Sequence, residues 1–184
     1  FGAYVDTGDF RIASASPELF FRLDGDELIS RPMKGTAPRD ADPVIDRAHA
    51  DTLAACAKNR AENVMIVDMI RNDMGRIAKP GSVHVPSLYT IEAYPTVWQM
   101  TSEVHSQTDA SFTDILHALF PCASITGAPK ARTMGIIAEL ETAPRQIYTG
   151  SIGFVTPDRQ AQFNVAIRTL LVDVRTGQAQ YGTG

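Results

Sequence analysis

The chain lacks several features that would point to whole classes of function. No apolar stretch approaches the about 20 residues that a membrane helix needs, and runs such as Val64-Met65-Ile66-Val67 are soon cut by charges. There are only two cysteines. Cys56 and Cys122 lie far apart with no Cys-x-x-Cys or Cys/His cluster, which argues against a disulfide staple and for reduced thiols in a cytosolic protein. A basic excess is missing too: 17 Lys and Arg face 21 Asp and Glu, interspersed, for a net charge of -4. Without a basic stripe to neutralise phosphates, nucleic acid is a poor partner. Repeats, low-complexity tracts, linkers and a secretory signal are not visible. Nor is an initiator methionine, and Tyr181-Gly182-Thr183-Gly184 reads as a strand entering a glycine turn. Both ends therefore read as cut from a longer chain.

What is present suits one domain with a real core: 184 residues, 44% hydrophobic and 21% charged. Alternation predicts strands at 2–5, 10–14, 19–23 and 27–30, with Asp24-Gly25-Asp26 as a hairpin turn. Asp42 caps and Pro43 opens a helical stretch reaching about Ile77, with Ile66, Met69, Ile70, Met74 and Ile77 on its buried face. Glu62 lies one turn before Ile66 on that face, and an inward carboxylate must find a cation, a metal or hydrogen bonds. Strands follow at 82–85, 88–93 and 97–105, then a helix at 112–120 capped by Ser111. Trp98 and Gln99 fall on opposite faces of their strand. Strands at 150–155, 162–174 and 178–182 close the chain, so the class is α+β.

Several residues could carry chemistry. Lys34 sits in Arg31-Pro-Met-Lys-Gly-Thr36, between Pro32, which fixes φ, and Gly35, which permits shapes other residues resist. It is either a held nucleophile or a solvated turn lysine. Glu18 follows small residues and Pro17, either aimed at a site or exposed. Ser124-Ile-Thr-Gly-Ala-Pro-Lys130 leads into a helix whose first turn contains Pro129, offering amides and a hydroxyl to an anion or simply a capped helix start. It lacks P-loop spacing. Arg168 stands in an otherwise apolar strand, where a buried guanidinium would need a carboxylate. The histidines 49, 84, 105 and 117 have no metal-binding spacing.

In order, Ser14-Ala-Ser-Pro-Glu18, Arg31-Pro-Met-Lys-Gly-Thr36, Ala61-Glu-Asn-Val-Met-Ile-Val-Asp-Met-Ile-Arg-Asn-Asp73, Phe120-Pro-Cys-Ala-Ser-Ile-Thr-Gly-Ala-Pro-Lys130, Gly150-Ser-Ile-Gly153 and Ile167-Arg-Thr169 resemble the chorismate-utilising enzyme family over nearly the whole chain. The resemblance implies an α+β fold of antiparallel sheets covered by helices, like that of anthranilate synthase component I. Residues 1–184 would form the C-terminal catalytic part of a chorismate-binding domain, incomplete at both ends. At the Lys34 position anthranilate synthases usually carry alanine, whereas the aminodeoxychorismate synthase branch carries Pro-Ile-Lys-Gly-Thr. By resemblance to that branch, Lys34 adds to the chorismate ring, Glu18 is the general acid, and Glu62 holds Mg²⁺ on the ring carboxylate. Gly35, Thr36, Thr126, Gly127, Ala128, Tyr148, Arg168 and Gly182 bind substrate. A glutamine amidotransferase supplies ammonia, and the product serves folate synthesis. Anthranilate or isochorismate synthesis is the nearest alternative, and a non-catalytic anion-binding fragment is one of another class. Two positions depart from the family: Gln99 stands where many members have histidine, and Cys122-Ala123 where Gly-Gly is commoner.

Overall fold

A computed structural model describes residues 1–183. In chain order its elements are β1 (Gly2–Asp6), β2 (Phe10–Ala15), β3 (Leu19–Asp24), β4 (Glu27–Arg31), β5 (Met33–Pro38), α1 (Pro43–Ala55), α2 (Ala57–Gly75), β6 (His84–Ala93), β7 (Val97–Gln107) and α3 (Phe112–Leu119). Next come α4 (Ala123–Thr126), α5 (Lys130–Leu140), β8 (Ser151–Val155), β9 (Gln160–Val165), β10 (Thr169–Asp173) and β11 (Ala179–Gly182). Every strand pairing whose register is described is antiparallel, and the class is α+β as expected. No helix among the described residues is long and apolar enough to cross a membrane. The chain divides into two compact units, Phe1–Leu28 with Phe120–Gly184, and Ile29–Leu119.

In the first unit, β1, β2, β10 and β11 form one sheet in that order. A second run is β3-β9-β8. The β3 and β9 rings make its core: Phe21, fully buried, stacks on Phe163 with centroids 5.2 Å apart. Asn164 ties neighbouring strands together, its Nδ2 donating to the Phe1 carbonyl (2.8 Å) and Ser14 Oγ (3.3 Å) while its Oδ1 accepts from the Ile152 amide (3.1 Å). Ser14 Oγ and Thr169 Oγ1 share a buried hydrogen bond of 2.8 Å. Buried hydroxyl and amide groups need such partners, because an unmet one costs about 1–3 kcal/mol.

In the second unit, β7 carries β6 along one edge and β5 along the other. Helices α1 and α2 cover this sheet through Leu53, Ile66, Val67, Ile70 and Met74, against Met100 and Val104. Asp42 caps α1 by accepting from the Val44 amide at 2.8 Å. Asp46 then anchors α1 to the sheet. It accepts three bonds from the Arg39 guanidinium and one from Trp98 Nε1 (2.9 Å), while Arg39 also lies 4.5 Å over the indole. Arg39 first, helped by the Asp40 amide and Trp98, holds the Asp46 carboxyl far below the usual carboxylate range despite burial. A carboxyl whose folded pKa is depressed contributes stability above its unfolded value of about 4 and loses it as pH falls. Asp46→Asn should therefore lower Tm at neutral pH and flatten the fall in Tm below about pH 4, as thermal unfolding at several pH values will show. An undiminished acid dependence in the variant would refute this.

The structure corrects several expectations. The helix expected over 43–77 breaks at Cys56, which is extended (φ -66°, ψ 107°), although no Gly or Pro stands there. The strands expected at 82–85 and 88–93 are one strand, β6, which absorbs Pro86 and a left-handed Tyr89 (φ 60°) through register shifts. That is what an edge position allows. The strand expected over 162–174 is interrupted between β9 and β10, where Arg168 takes φ 49°. Pro129 is the N-cap of α5, outside its first turn, and residues 123–126 of the expected loop form the short helix α4.

Candidate active site

The residues singled out in the sequence fall into two sets. Glu18, Thr126, Gly127, Ala128, Tyr148, Arg168 and Gly182 belong to the first unit, and Lys34, Gly35, Thr36 and Glu62 to the second. Each set is built by its own unit's backbone.

In the second unit the Lys34 segment is a strand with a bulge, not the turn expected from Pro32 and Gly35. Met33 pairs with Thr101 and Thr36 with Gln99, so β5 fits three steps against two of β7. The extra residue falls at Lys34-Gly35, and Gly35 absorbs it with φ +96°. A bulge of this kind re-aims a side chain out of the ladder. Gly35 is also pressed against α1 and α2: a Cβ there would lie 3.0 Å from Asn59 Cγ and 3.1 Å from Leu53 Cδ1. Thr36 donates its hydroxyl to Gln99 Oε1 at 2.5 Å, and Gln99 Nε2 donates to Met33 Sδ at 3.7 Å. Of the Trp98-Gln99 pair, Gln99 is the buried one (8% exposed) and Trp98 is half-buried.

Glu62 does not point inward as its spacing from Ile66 suggested. The buried face of α2 runs through Asn63, Ile66, Val67, Ile70, Asp73 and Met74. Glu62 sits on the shoulder of that face, its side chain 42% exposed and 3.8 Å from Lys58 Nζ. The inward polar residue is Asn63, whose Oδ1 accepts from Ser102 Oγ at 2.6 Å. Helical spacing allowed this, but Ile66 and Ile70 alone do not say which flank is covered. Among the described residues no three His, Cys, Asp or Glu side chains converge as they would on a metal ion. Glu62 offers one carboxylate of the roughly six oxygens Mg²⁺ takes, so these residues by themselves do not make a Mg²⁺ site.

In the first unit Glu18 is buried (3% exposed). Its amide donates to Ser16 Oγ (3.2 Å) and its carbonyl accepts from the Val165 amide (3.1 Å), which fixes the backbone just before β3. Cys122 is buried as well, with Sγ 3.2 Å from Ser124 Oγ. Burial first, and then the nearby Glu18 carboxylate, push the Cys122 thiol up to about 12, partly offset by Ser124. Only thiolate reacts, so brief iodoacetamide treatment followed by peptide mapping should modify the half-buried Cys56 and spare Cys122 until the protein unfolds. Native labelling of Cys122 at the Cys56 rate would contradict this.

Thr126 ends α4 with its hydroxyl donated to the Cys122 carbonyl (2.9 Å), and Gly127 follows at φ +104°. Thr126, Tyr148 and Gly150 line a pocket of about 490 Å³ whose other wall is Met134, Ile137 and Ala138 of α5. Inside it Arg145 is paired with Glu141 at 2.6 Å. The Tyr148 side chain packs so closely on Gly182 that a Cβ there would sit 2.2 Å from its Cδ2. The glycine turn expected from Gly182 runs into Gly184, outside the described residues.

Arg168 is exposed, contrary to the buried guanidinium expected of an apolar strand. Its left-handed backbone turns the side chain outward between buried Ile167 and Thr169. Such a conformation is uncommon for a bulky residue and persists only where its surroundings enforce it. Here the Arg168 carbonyl accepts from the Ala15 amide and its amide donates to the Thr183 carbonyl, both at 3.1 Å. Arg168 is therefore fastened at once to the stretch leading to Glu18 and to the strand carrying Gly182.

Aminodeoxychorismate synthase component 1 of Salmonella typhimurium is 46% identical over 92% of this chain, and that of Bacillus subtilis 44% identical over 99%. The chain spans 38% and 39% of the length of these two curated relatives. Among solved structures, anthranilate synthase component I from Streptococcus pneumoniae superposes with a TM-score of 0.85 at 32% identity, over 95% of this chain and 39% of that one. The family model for chorismate binding enzymes matches residues 1–184. With its motifs, its fold and its whole length in agreement, the chain belongs to the chorismate binding enzyme family.

Proposed function

We propose that the protein containing this chain makes 4-amino-4-deoxychorismate from chorismate and ammonia. The observation that carries this reading is Lys34, held out of the β5–β7 ladder by a one-residue bulge, in a chain 46% identical to a protein named aminodeoxychorismate synthase component 1. A half-buried lysine fixed on a bulge is a good nucleophile when uncharged.

In the proposed sequence the Lys34 amine bonds to ring carbon C2, the two ring double bonds shift (C1=C2 to C1=C6 and C5=C6 to C4=C5), and the C4–oxygen bond breaks. Hydroxide leaves poorly, so buried Glu18 gives it a proton and water departs. Ammonia then bonds to C4, both double bonds shift back, the C2–Lys34 bond breaks, and the proton shed by the new amine returns to Glu18. Chorismate is a dianion. Thr36, the Thr126-Gly127-Ala128 loop, Tyr148, Arg168 and the Gly182 backbone are the groups we assign to holding it, with Arg168 suited to a carboxylate by its planar fork. Mg²⁺, if held by Glu62 with ligands from the longer protein, would neutralise one carboxylate; the bonding steps above are assigned to the chain's own residues. A glutaminase partner for the ammonia, a cytoplasmic setting and a place in para-aminobenzoate and folate synthesis belong to the same proposal. The two free cysteines fit that setting.

The test is intact mass and peptide mapping of the full-length protein incubated with chorismate and Mg²⁺ without ammonia. The expected result is a chorismate-minus-water adduct on Lys34 that ammonia discharges to the amino product. Turnover with no adduct on Lys34 would overturn the covalent reading.

A further inference from the structure

We infer that Gln99 is a positioning residue for Lys34, its amide clasping both flanks of the bulge that presents the amine. The inference rests on reading Lys34 as the group that bonds to substrate. Lys34 and Gly35 occupy the irregular step between the Met33–Thr101 and Thr36–Gln99 pairs, so the regular ladder does not fix them. Gly35, at φ +96°, brings no side chain of its own to lock the bend. The Gln99 side chain spans the gap. Gln99 Oε1 accepts the Thr36 hydroxyl at 2.5 Å, and Gln99 Nε2 donates to Met33 Sδ at 3.7 Å.

The orientation of the amide follows from its partners. A thioether sulfur can only accept, so Nε2 faces Met33, and the hydroxyl, which can donate, meets Oε1. Gln99 itself is 8% exposed, so its amide is held by packing as well as by these two part-buried bonds. An amide also keeps one donor face and one acceptor face at every working pH, which neither a carboxylate nor an imidazole does. The clasp is therefore independent of pH near neutrality. Loosening it would let the Lys34 amine wander, and a misplacement of about 1 Å costs about 100-fold in a positioned reaction.

The experiment uses the full-length protein with chorismate and Mg²⁺ and compares wild type, Gln99→Leu, Thr36→Val and the double variant. Quenched mass spectrometry follows the rate of adduct formation on Lys34, steady-state assays give kcat and KM, and hydrogen exchange reports on the 33–36 backbone. We expect Gln99→Leu to slow adduct formation and kcat by about 10- to 100-fold, with KM within about two-fold and faster exchange at 33–36. Thr36→Val should give a smaller loss, and the double variant should be no slower than Gln99→Leu, since the Thr36–Gln99 bond that Thr36→Val removes is already gone in Gln99→Leu. Gln99→Glu should restore part of the rate through the retained acceptor. If Gln99→Leu does not fold, hydrogen exchange at 33–36 in substrate-free Thr36→Val, at an exposed position, still decides, since a lost substrate contact would not change it. Adduct formation and exchange within two-fold of wild type in the folded variants would overturn the inference. If wild type forms no adduct while exchange at 33–36 still quickens in the variants, the Lys34 chemistry falls and the clasp stands.

Discussion

Lys34→Ala in the full-length protein is expected to lower turnover of chorismate with ammonia by at least about 1,000-fold, the scale on which loss of a covalent nucleophile is felt. Chorismate affinity should change far less, because the proposed contacts to its carboxylates lie elsewhere, at Thr36, Thr126, Tyr148 and Arg168. The fold should be indifferent. Lys34 is only half-buried, and alanine leaves the unusual backbone of the bulge to Gly35, where φ is +96°. Lys34→Arg should not rescue, since a guanidinium stays protonated and cannot attack. Chorismate binding by calorimetry and product formation by chromatography separate the outcomes. Turnover within ten-fold of wild type in Lys34→Ala would remove the nucleophile from the mechanism and favour direct attack by ammonia.

Gly153→Ala is expected to be the most damaging small substitution for the fold. Gly153 of β8 pairs with Phe163 of β9. A Cβ on Gly153 would lie 2.1 Å from the Gln162 carbonyl oxygen and 2.6 Å from Phe163 Cγ. The first obstacle is backbone and cannot rotate away, so β8 must separate from β9 and the Phe163 ring must leave its stack on Phe21. Overpacking of this kind costs about 3 kcal/mol or more when backbone is involved, which for a chain of this size lowers Tm by about 6–12 °C. Thermal unfolding checks it. An unchanged Tm would mean that β8 is not seated on β9 as described. Gly25, with nothing within 4 Å of a Cβ, is the natural comparison. Alanine there meets only the strain of φ +58°, for a cost of about 1 kcal/mol.

The contrast between those two glycines illustrates what was legible. Gly25 stands in an expected hairpin turn and Gly153 in a strand expected at 150–155. Gly25 is indeed a turn residue, whereas Gly153 is required by the backbone and ring of its hairpin partner β9. Similarly, Glu18 and Lys34 were readable as unusual residues in constrained company, while the nature of the constraint was not. Pro32 and Gly35 suggested a turn, yet Pro32 precedes a strand and Gly35 relieves a register mismatch with β7. Glu62 and Asn63 are adjacent on α2 and differ by about 100° around its axis; which of them turned inward depended on where the sheet lay. Arg168 looked buried because its neighbours are apolar, and those neighbours are buried. Only a left-handed backbone at that one residue reversed its own side chain.

By itself the sequence determined the class, the order of nearly all the elements, the cap at Asp42 and a set of motifs whose spacing marks the family. These depend on periodicity, on caps and on residues with restricted φ, all of which act within a few positions along the chain. Tertiary structure alone decided the helix break at Cys56, the bulge that lifts Lys34 from its strand, the clasp of Gln99 across it, and the outward turn of Arg168. The bulge, the clasp and the turn of Arg168 answer a mismatch between strands or a neighbour from a distant segment, and such a mismatch has no signature within the local stretch that resolves it; the break at Cys56 has no Gly or Pro to announce it.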